Sequence, residues 1–339
     1  MKYNAYLYPI TNRLKTGIYN PYLDNFMQST QSYVNYLNQH YPSDTGIFNL
    51  LKYIHKTDVL FLNWIENLPE KKGGLIQTLF FLLVLRMKKV LGVKVVWTLH
   101  NKVSHSKGKL FLKKWLFASL IKRSDLIITH AREGIRFAEQ WHQGASSRVF
   151  YFPHPVVPEQ EPEFTIDQEY DVIIWGTLAP YKGIDAFLEF LQQNTTLAGY
   201  RILIAGKATS SDFYQKIKRL AGDTVKIKNQ FIDKQELARL IQSSNAVLFT
   251  YAGGSVLSSG ALIDSLAYRA RVIGPNVGAF ADLGEEEIID TYKDFSEIPD
   301  ILDNLKNDKA SNPEKMDAFL RNHTWQKFAR SFKKALSNV

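Results

Sequence analysis

The stretch from Trp175 to Gly183 constrains the fold most, because an apolar strand at residues 172–175 leads into a glycine turn, Lys182 and a helix start. A strand end, a glycine turn, a cation and a helix N-terminus together form a pocket for an anion, most often a phosphate. The alternative is an ordinary strand-to-helix turn with a solvated lysine. The same order recurs at residues 200–207 and 246–260, which predicts one anionic ligand at the carboxyl edge of a doubly wound domain.

Length and composition limit the class of protein. The 339 residues suffice for two α/β domains, and a hydrophobic content of 45% indicates packed cores. Cysteine is absent, which excludes disulfides and thiolate metal sites and favours a reducing compartment. The first residues lack the apolar core of a signal peptide and are expected to form a strand. The longest apolar run, residues 75–85, is shorter than the roughly 20 residues that span a bilayer, so we expect no membrane crossing.

Excess basic charge is confined to the first half of the chain. Residues 1–165 hold 21 Lys and Arg against 11 Asp and Glu, a balance of 21 − 11 = +10, whereas the remainder holds 42 − 21 = 21 against 33 − 11 = 22, a balance of −1. Much of the excess lies between Arg86 and Arg123, interleaved with Leu, Phe and Trp, and includes Lys109, Lys113 and Lys114. This pattern is typical of helices that bind an anionic membrane surface. The alternative is a core-facing helix with a solvated lysine face.

No recognised nucleic-acid-binding motif accompanies the charge, so nucleic acid is not expected as a partner.

Strands and helices alternate through both halves of the chain. In the first half, apolar runs predict strands at residues 3–8, 58–63, 94–99, 126–129 and 149–151, and helical periodicity predicts helices at 23–39, 75–90, 110–120 and 132–141. In the second half, the predicted strands are 170–175, 200–205, 225–228, 246–250, 271–274 and 287–289. The helices between them are expected at residues 184–193, 212–221, 234–243 and 260–268.

A stretch rich in proline and acidic residues separates the two halves. It shows neither the periodicity of a helix nor that of a strand. We therefore expect a first domain at residues 1–158, a linker at 159–168, a second domain at 169–322 and a terminal helix at 323–339. Two doubly wound domains joined in this way are expected to face each other across a cleft, where ligands tend to bind.

Eight motifs along the chain carry a family resemblance. In the second half they lie at residues 176–183, 205–207, 231–237, 243–251 and 259–267, and in the first half at 58–64, 97–101 and 153–155. In this order and spacing they resemble the group 1 (family 4) glycosyltransferases, whose GT-B fold consists of two Rossmann-like domains. The resemblance covers most of the chain, and it implies that the terminal helix crosses back to pack on the first domain.

The resemblance also implies which residues bind the donor, a nucleoside diphosphate sugar. Lys182 would hold the diphosphate as a point charge. The full diphosphate site would comprise Gly176, Thr177, Lys182, Lys207, Ser258, Ser259 and Gly260. The nucleoside site would comprise Gln230, Phe231, Ile232 and Asp264, with Asp264 on the ribose. Simple helix capping is the alternative for the serines, and a surface position is the alternative for Asp264.

Three positions depart from the family pattern. Val256 stands where a carboxylate near the donor sugar is usual, Thr177 where an arginine often follows the first glycine, and Arg271 where a proline is usual. These departures leave nucleotide binding in place and bear on the identity of the sugar and on catalysis. The chain has no Asp-x-Asp pair, so we expect no metal and assign the stabilisation of the leaving diphosphate to Lys182 and helix dipoles.

Histidines are the candidates on the acceptor side. His100 ends the strand at 94–99, where the resemblance places a histidine that contacts acceptor or sugar, and an imidazole near neutral pKa can serve as a general base. Asn101, His105 and His154 are assigned to the acceptor or the sugar in the same way. Glu66 and His130 are further candidates. For each histidine, a hydrogen-bonded structural role is the alternative.

These expectations describe a cytoplasmic glycosyltransferase, peripheral on the inner face of the cell membrane. It would transfer a hexose from a UDP- or GDP-linked sugar, used as co-substrate without a cofactor, to a glycan or lipid-linked saccharide in cell-surface polysaccharide synthesis. One alternative is a non-catalytic scaffold that binds nucleotide or glycan, motivated by Val256 and Thr177. Another is a nucleotide-sugar epimerase of similar fold.

Overall fold

A computed structural model describes residues 2–10, 21–40, 45–102, 110–159, 167–194, 199–251, 256–306 and 313–339. The chain divides into two compact units. The first comprises Met1–Pro155 together with Trp325–Val339, and the second comprises Val156–Thr324. The chain therefore leaves the first unit once and returns to it at Trp325.

The first unit is built on a six-stranded sheet whose recorded pairings are all parallel. Its strands are β1 (Tyr3–Tyr8), β2 (Val34–Tyr36), β3 (Val59–Asn63), β4 (Lys94–Leu99), β5 (Leu126–Thr129) and β6 (Val149–Tyr151), in the order β2-β1-β3-β4-β5-β6. Its helices are α1 (Pro21–Thr30), α2 (Gly74–Met87), α3 (Leu110–Arg123), α4 (Arg132–Trp141) and α12 (Trp325–Ser337). Every residue of β3 and β5 is buried, as expected for parallel strands that are covered on both faces.

Helices cover both faces of this sheet. Neighbouring residues of a strand point to opposite faces. Val96 belongs to a core cluster with Phe328 and Phe332 of α12, whereas the ring of Trp97 lies 5.5 Å from that of Phe117 on α3. The steps from β3 to β4 and from β4 to β5 run in one direction across the sheet, so right-handed crossovers place α2 and α3 side by side on the same face.

The second unit also contains six strands with parallel pairings. They are β7 (Tyr170–Trp175), β8 (Ile202–Ala205), β9 (Val225–Lys228), β10 (Ser244–Leu248), β11 (Val272–Pro275) and β12 (Asp290–Tyr292), in the order β12-β11-β10-β7-β8-β9. Its helices are α5 (Ile184–Gln193), α6 (Ser211–Leu220), α7 (Lys234–Gln242), α8 (Gly260–Ala267), α9 (Gly278–Glu285), α10 (Ile298–Lys306) and α11 (Pro313–Asn322). The chain runs from β7 to β8 on one side and returns to β10 on the other. The strand order thus reverses between β7 and β10, which is where open α/β sheets bind ligands.

The helix predicted at residues 23–39 is wrong in its second half. Helix α1 ends at Thr30, whose hydroxyl donates to the carbonyl oxygen of Phe26 at 2.7 Å. Such local side-chain bonds compete with continuation of a helix. Val34 and Tyr36 are then buried on either side of exposed Asn35, which is the alternation of a short edge strand. The missed element is β2.

The strand predicted at residues 287–289 is displaced toward the C-terminus. Glu287 has a left-handed backbone with φ 56°, so it belongs to the turn that follows α9. Ile288 and Ile289 are buried, and this is the apolar signal that the sequence presents. The strand itself begins at Asp290 and pairs with β11.

Candidate functional site

The turn after β7 brings Lys182 back to the end of that strand. Gly176 follows the strand with φ 101°, a short 3-10 turn spans Pro180–Lys182, and Gly183 has φ 69° just before α5. Glycine adopts this left-handed backbone without the steric cost of a Cβ atom. As a result, the Nζ atom of Lys182 lies 3.3 Å from the carbonyl oxygen of Trp175.

Lys182 is a buried amine in an electrostatically unusual position. Its side chain is 7% exposed, and within the described residues it forms no ion pair with a carboxylate. Its Nζ atom lies 5.9 Å from the centre of the Tyr251 ring, which offers only a weak cation–π attraction at this distance. Burial lowers the pKa of the amine to about 8. A bound anion would supply the missing counter-charge and favour the protonated form.

The start of α8 carries the serines predicted for the diphosphate. Ser259 is the N-cap residue, and its Oγ atom accepts from the N–H of Leu262 at 3.4 Å and contacts the hydroxyl of Tyr251 at 2.8 Å. The Oγ atom of Ser258 is buried and has no hydrogen-bond partner in the described part of the chain. Helix capping therefore accounts for the position of the Ser259 hydroxyl. It does not account for the buried hydroxyl of Ser258, since a buried hydroxyl is normally hydrogen-bonded.

Lys182 and the first turn of α8 border the same small space beside Gly176. A Cβ atom added to Gly176 would lie 2.8 Å from Nζ of Lys182 and 3.9 Å from Cβ of Ala261. The Trp175 indole donates to the Oγ atom of Ser265 at 2.8 Å, which ties the end of β7 to α8. A fixed ammonium next to a helix N-terminus is an arrangement suited to a diphosphate.

The other residues predicted to bind the nucleoside diphosphate sugar differ in their exposure to solvent. Phe231 follows β9 and is 80% exposed, so its ring is free to stack on a planar ligand. Gln230 is exposed and Ile232 is half-buried. Asp264 is exposed on α8, in the electrostatic reach of the ion pair that joins Lys234 and Glu159 at 2.6 Å. Two further predicted residues, Thr177 and Lys207, are also exposed.

In the first unit, His100 is oriented by two neighbours. Its Nε2 atom lies 3.1 Å from Oδ1 of Asn63, and its ring stacks on that of Trp64 with centres 4.1 Å apart. The Asn63 amide nitrogen contacts the Tyr8 carbonyl at 3.5 Å, so Oδ1 accepts from His100 and the lone pair of His100 resides on Nδ1. Trp64 has φ 48°, a left-handed backbone that is rare for a bulky residue and frequent at functional sites.

Tyr22 forms the centre of an aromatic and histidine cluster that the sequence did not reveal. The centre of its ring lies 4.9 Å from that of His100, 5.5 Å from that of His130 and 5.4 Å from that of His154. The hydroxyl of Tyr22 donates to Nε2 of His130 at 2.9 Å, because Nδ1 of His130 donates to the Phe152 carbonyl at 2.8 Å. His130 is thus held as one neutral tautomer.

Burial keeps all three histidines neutral. It lowers the pKa of His130 to about 3 and that of His154 to about 4, and it holds the pKa of His100 well below its usual range, with His130 and His154 adding to the effect. His154 donates through Nδ1 to the Pro155 carbonyl at 3.0 Å. A neutral imidazole offers one lone pair and can accept a hydrogen bond from a hydroxyl.

Three other predicted residues have distinct outcomes. Asn101 is half-buried directly after His100, and His105 lies outside the described residues. Glu66 is buried, and this desolvation raises the pKa of its carboxyl to about 7 although the Trp97 indole approaches it at 3.4 Å.

In the described ranges, no group of three His, Asp or Glu side chains is arranged to hold a metal ion. The same ranges contain no helix that is long and apolar enough to cross a bilayer.

Several solved structures share the fold of this chain. The chain is similar to Alr3699/HepE of Anabaena in complex with UDP, with 12% sequence identity over 100% of both chains and a TM-score of 0.70. It is similar to the lipopolysaccharide outer core galactosyltransferase WaaB, with 13% identity over 100% of this chain and 99% of that chain and a TM-score of 0.65. A third similar structure is AviGT4, a glycosyltransferase involved in avilamycin A biosynthesis, with 16% identity over 98% and 96% and a TM-score of 0.63. No protein-family model and no curated protein sequence matches the chain.

The two parallel six-stranded sheets and these similarities give one conclusion about architecture. The chain has the GT-B fold of glycosyltransferases, and the fold class predicted from the sequence is confirmed.

Proposed function

We propose that this chain is a glycosyltransferase whose second unit binds a uridine diphosphate sugar. The observation that carries the proposal is the buried amine of Lys182 beside the first turn of α8. An ammonium without a counter-charge is costly to bury. A diphosphate bound at this point would remove that cost, so ligand binding accounts for a residue that folding alone disfavours. HepE, which has the same fold, has been crystallised with UDP and with UDP-glucose, and this supports uridine as the base.

In the proposed reaction, Lys182 and α8 stabilise the leaving group. Negative charge grows on the diphosphate as its bond to the sugar breaks, and fixed donors that are already in position stabilise that charge without reorganisation. The hydroxyl of Ser258, which has no hydrogen-bond partner among the described residues, is available as an additional donor. These groups would stabilise the negative charge that a metal ion stabilises in other glycosyltransferases, and the sequence lacks an Asp-x-Asp pair. We therefore propose that the reaction needs no metal.

His100 is proposed to contact the acceptor or the transferred sugar. Its pKa, held far below neutrality, leaves Nδ1 unprotonated at physiological pH. Nδ1 therefore accepts a hydrogen bond from a hydroxyl and orients it for attack, and it receives the proton only as the hydroxyl loses it. Asn63 and Trp64 hold the ring in the orientation that this role requires.

We further propose a hexose as the transferred group and a hydroxyl of a glycan or lipid-linked saccharide as the acceptor. The reaction would belong to cell-surface polysaccharide synthesis on the inner face of the cell membrane. Support comes from WaaB, which is a lipopolysaccharide outer core galactosyltransferase of the same fold, and from the basic charge of the first half of the chain.

One observation favours a second function, a scaffold that binds nucleotide without transferring sugar. Val256, at the position where a carboxylate is usual near the donor sugar, is 2% exposed and packed as an apolar residue. A carboxylate is therefore missing from this place. The two functions differ in turnover, since only a transferase releases UDP from UDP-sugar.

Thermal unfolding with a panel of nucleotides tests the proposal directly. UDP, GDP and ADP are compared, each at saturating concentration, because a ligand that binds only the folded state raises its stability, by about 2.7 kcal/mol at a hundredfold excess over Kd. We expect UDP to raise the Tm and the other two to do so less. Release of UDP from UDP-glucose, with and without EDTA, then separates transferase from scaffold. A Tm unchanged by every nucleotide would contradict the proposal.

A further inference from the structure

The outward sides of α2 and α3 carry exposed apolar residues that the proposed reaction does not use. On α2 and just after it, these are Leu75, Ile76, Leu79, Leu83, Met87 and Val90. On α3 they are Leu110, Phe111 and Trp115, and we call the nine residues the outer apolar face. They are nine of the fourteen large hydrophobic residues exposed in the described chain. Apolar exposure is therefore concentrated at one place, and concentrated patches mark interaction surfaces.

Helix α2 is apolar on all sides. Leu75, Leu79, Leu83 and Met87 follow one another at intervals of four residues and so form one exposed ridge, while Phe81 and other residues on the inner side are fully buried. A helix that is apolar all round is normally covered all round. With 14 residues, α2 is about 21 Å long, too short to span a bilayer of roughly 30 Å. We therefore expect an apolar partner on its outer side.

Exposed positive charge accompanies the outer apolar face on the same helices. Residues 71–123 contain thirteen Lys and Arg and no Asp or Glu. Arg86 and Lys89 near the end of α2 are exposed, as are Lys114 and Lys122 on α3, and none of the four forms an ion pair within the described ranges. Three other lysines of this stretch do form ion pairs, Lys88 with Asp125, Lys102 with Glu133 and Lys113 with Glu70, and the side chain of Lys113 is only 2% exposed. The expectation that Lys113 contacts lipid is therefore wrong.

We propose that the outer apolar face is a docking surface for an anionic lipid bilayer. An interfacial helix lies with its apolar side at the boundary between headgroups and acyl chains while its basic residues contact anionic headgroups. The face has both components. A second copy of this chain fits less well, because a two-fold contact would bring together two sets of exposed cations that form no ion pair in the described ranges.

Docking in this way places the acceptor side of the first unit near the headgroups. Both helices begin at the carboxyl edge of their sheet, since α2 follows β3 and α3 follows β4, and His100 ends β4 at that same edge. Leu75, Ile76, Leu110 and Phe111 are thus on the helix ends that are nearest to His100 in the topology. This inference rests on the proposed function where it assigns the acceptor, which would be a saccharide attached to lipid.

Vesicle flotation with matched variants tests the proposal. The full chain is mixed with vesicles of phosphatidylcholine and phosphatidylglycerol or with vesicles of phosphatidylcholine alone, and we expect binding only to the first. Lys114→Glu with Lys122→Glu should weaken binding about thirtyfold or more, because each basic residue near an anionic surface contributes about 1 kcal/mol. The control is Lys218→Glu with Arg219→Glu, an equal charge change at exposed positions of α6, which should have little effect.

A second pair of variants tests the apolar component. Phe111 and Phe231 are exposed to almost the same extent, 79% and 80%, but only Phe111 lies on the outer apolar face. Phe111→Ser should weaken vesicle binding at least tenfold, whereas Phe231→Ser should not change it. Neither change removes a buried contact of the fold.

Each alternative outcome overturns the lipid proposal. Equal binding to both vesicle types would show that anionic headgroups are not recognised. Equal effects of the target and control variants would show that the outer apolar face does not mediate binding. If the protein does not bind vesicles but sediments as a dimer that Phe111→Ser dissociates, the partner of the outer apolar face is a second copy of the chain. If the protein does not bind vesicles and sediments as a monomer, the outer apolar face is not a lipid-binding surface. The UDP-dependent rise in Tm is measured on the same samples. Its loss in the wild type contradicts the proposed function, whereas its retention without lipid binding contradicts only this inference.

Discussion

A Cβ atom added to Gly206 would lie 1.8 Å from the carbonyl oxygen of Gly176, because the turns that follow β8 and β7 touch through their backbones. The N–H of Leu178 donates to the carbonyl of Lys207 at 3.0 Å across the same contact. The turn that positions Lys182 is therefore braced by the turn of the neighbouring strand.

Gly206→Ala is expected to destabilise the fold by about 2–5 kcal/mol, since the new methyl group meets backbone and Gly206 has φ 152°. The free energy of unfolding in urea measures the loss. Gly222→Ala is the matched control, because nothing lies within 4 Å of its Cβ position and its φ is not in the left-handed region. Equal effects of the two changes would show that the close contact is not present in the protein.

Lys182→Met is expected to weaken UDP binding by about 1.5–3 kcal/mol, which is typical for a hydrogen bond to a charged group. The variant without ligand should unfold at the same or a higher temperature, because an apolar side chain replaces a buried amine that has no carboxylate partner in the described ranges. Calorimetric titration and thermal unfolding measure the two quantities. Lys218→Ala, at an exposed position of α6, is the control. Unchanged UDP affinity in a folded Lys182→Met protein would exclude Lys182 from the site.

UDP affinity should fall as the pH rises through about 8. The pKa of Lys182 in the free protein is lowered to about 8 by burial, so the amine is charged below this pH and becomes neutral above it. The bound diphosphate favours the charged form, which means that binding above pH 8 takes up a proton and loses up to about tenfold in affinity per pH unit. Titration between pH 7 and 9.5 in buffers of different ionisation enthalpy measures both effects. They should vanish in Lys182→Met, and a pH dependence that persists there would assign it to another group.

His100→Ala is expected to reduce turnover of UDP-sugar about 100-fold or more with UDP affinity near that of the wild type. The expected separation of kcat from nucleotide binding follows because His100 belongs to the first unit, whereas the residues proposed to bind the diphosphate belong to the second. His55→Ala, an exposed histidine of the same unit, is the control. Wild-type turnover in a folded His100→Ala protein would make the histidine structural.

Most of the fold was predictable because parallel sheets leave a strong local signal. A strand covered on both faces, such as β3 or β5, is a short apolar run that stands out from its surroundings. Strand β2 has three residues at the sheet edge, and only two of them are buried. Its apolar residues also continued the helical spacing of α1, so periodicity alone could not separate the two elements.

The glycine turn with its lysine after β7 was predictable for a similar reason. Gly176, Lys182 and Gly183 lie within a few residues of one another, so their local order already indicates an anion site. The cluster around Tyr22 has no such signal, because Tyr22 and His130 are 108 positions apart in sequence and meet only through the packing of α1 against the sheet. The burial of Lys113 was missed likewise, since its partner Glu70 is 43 positions away. Contacts of this kind are decided by tertiary structure.

The return of the chain to the first unit at Trp325 has an evolutionary consequence. The N–H of Val156 donates to the carbonyl of His323 at 2.8 Å, and Val156 pairs with Thr324, so the outgoing and incoming segments run side by side. The second unit is thus a continuous insertion into the first unit, and the two ends of the insertion are adjacent in space. Recombination with both breakpoints there would exchange the second unit as one piece, and the core of the recipient's first unit, including Phe328 and Phe332, would stay intact.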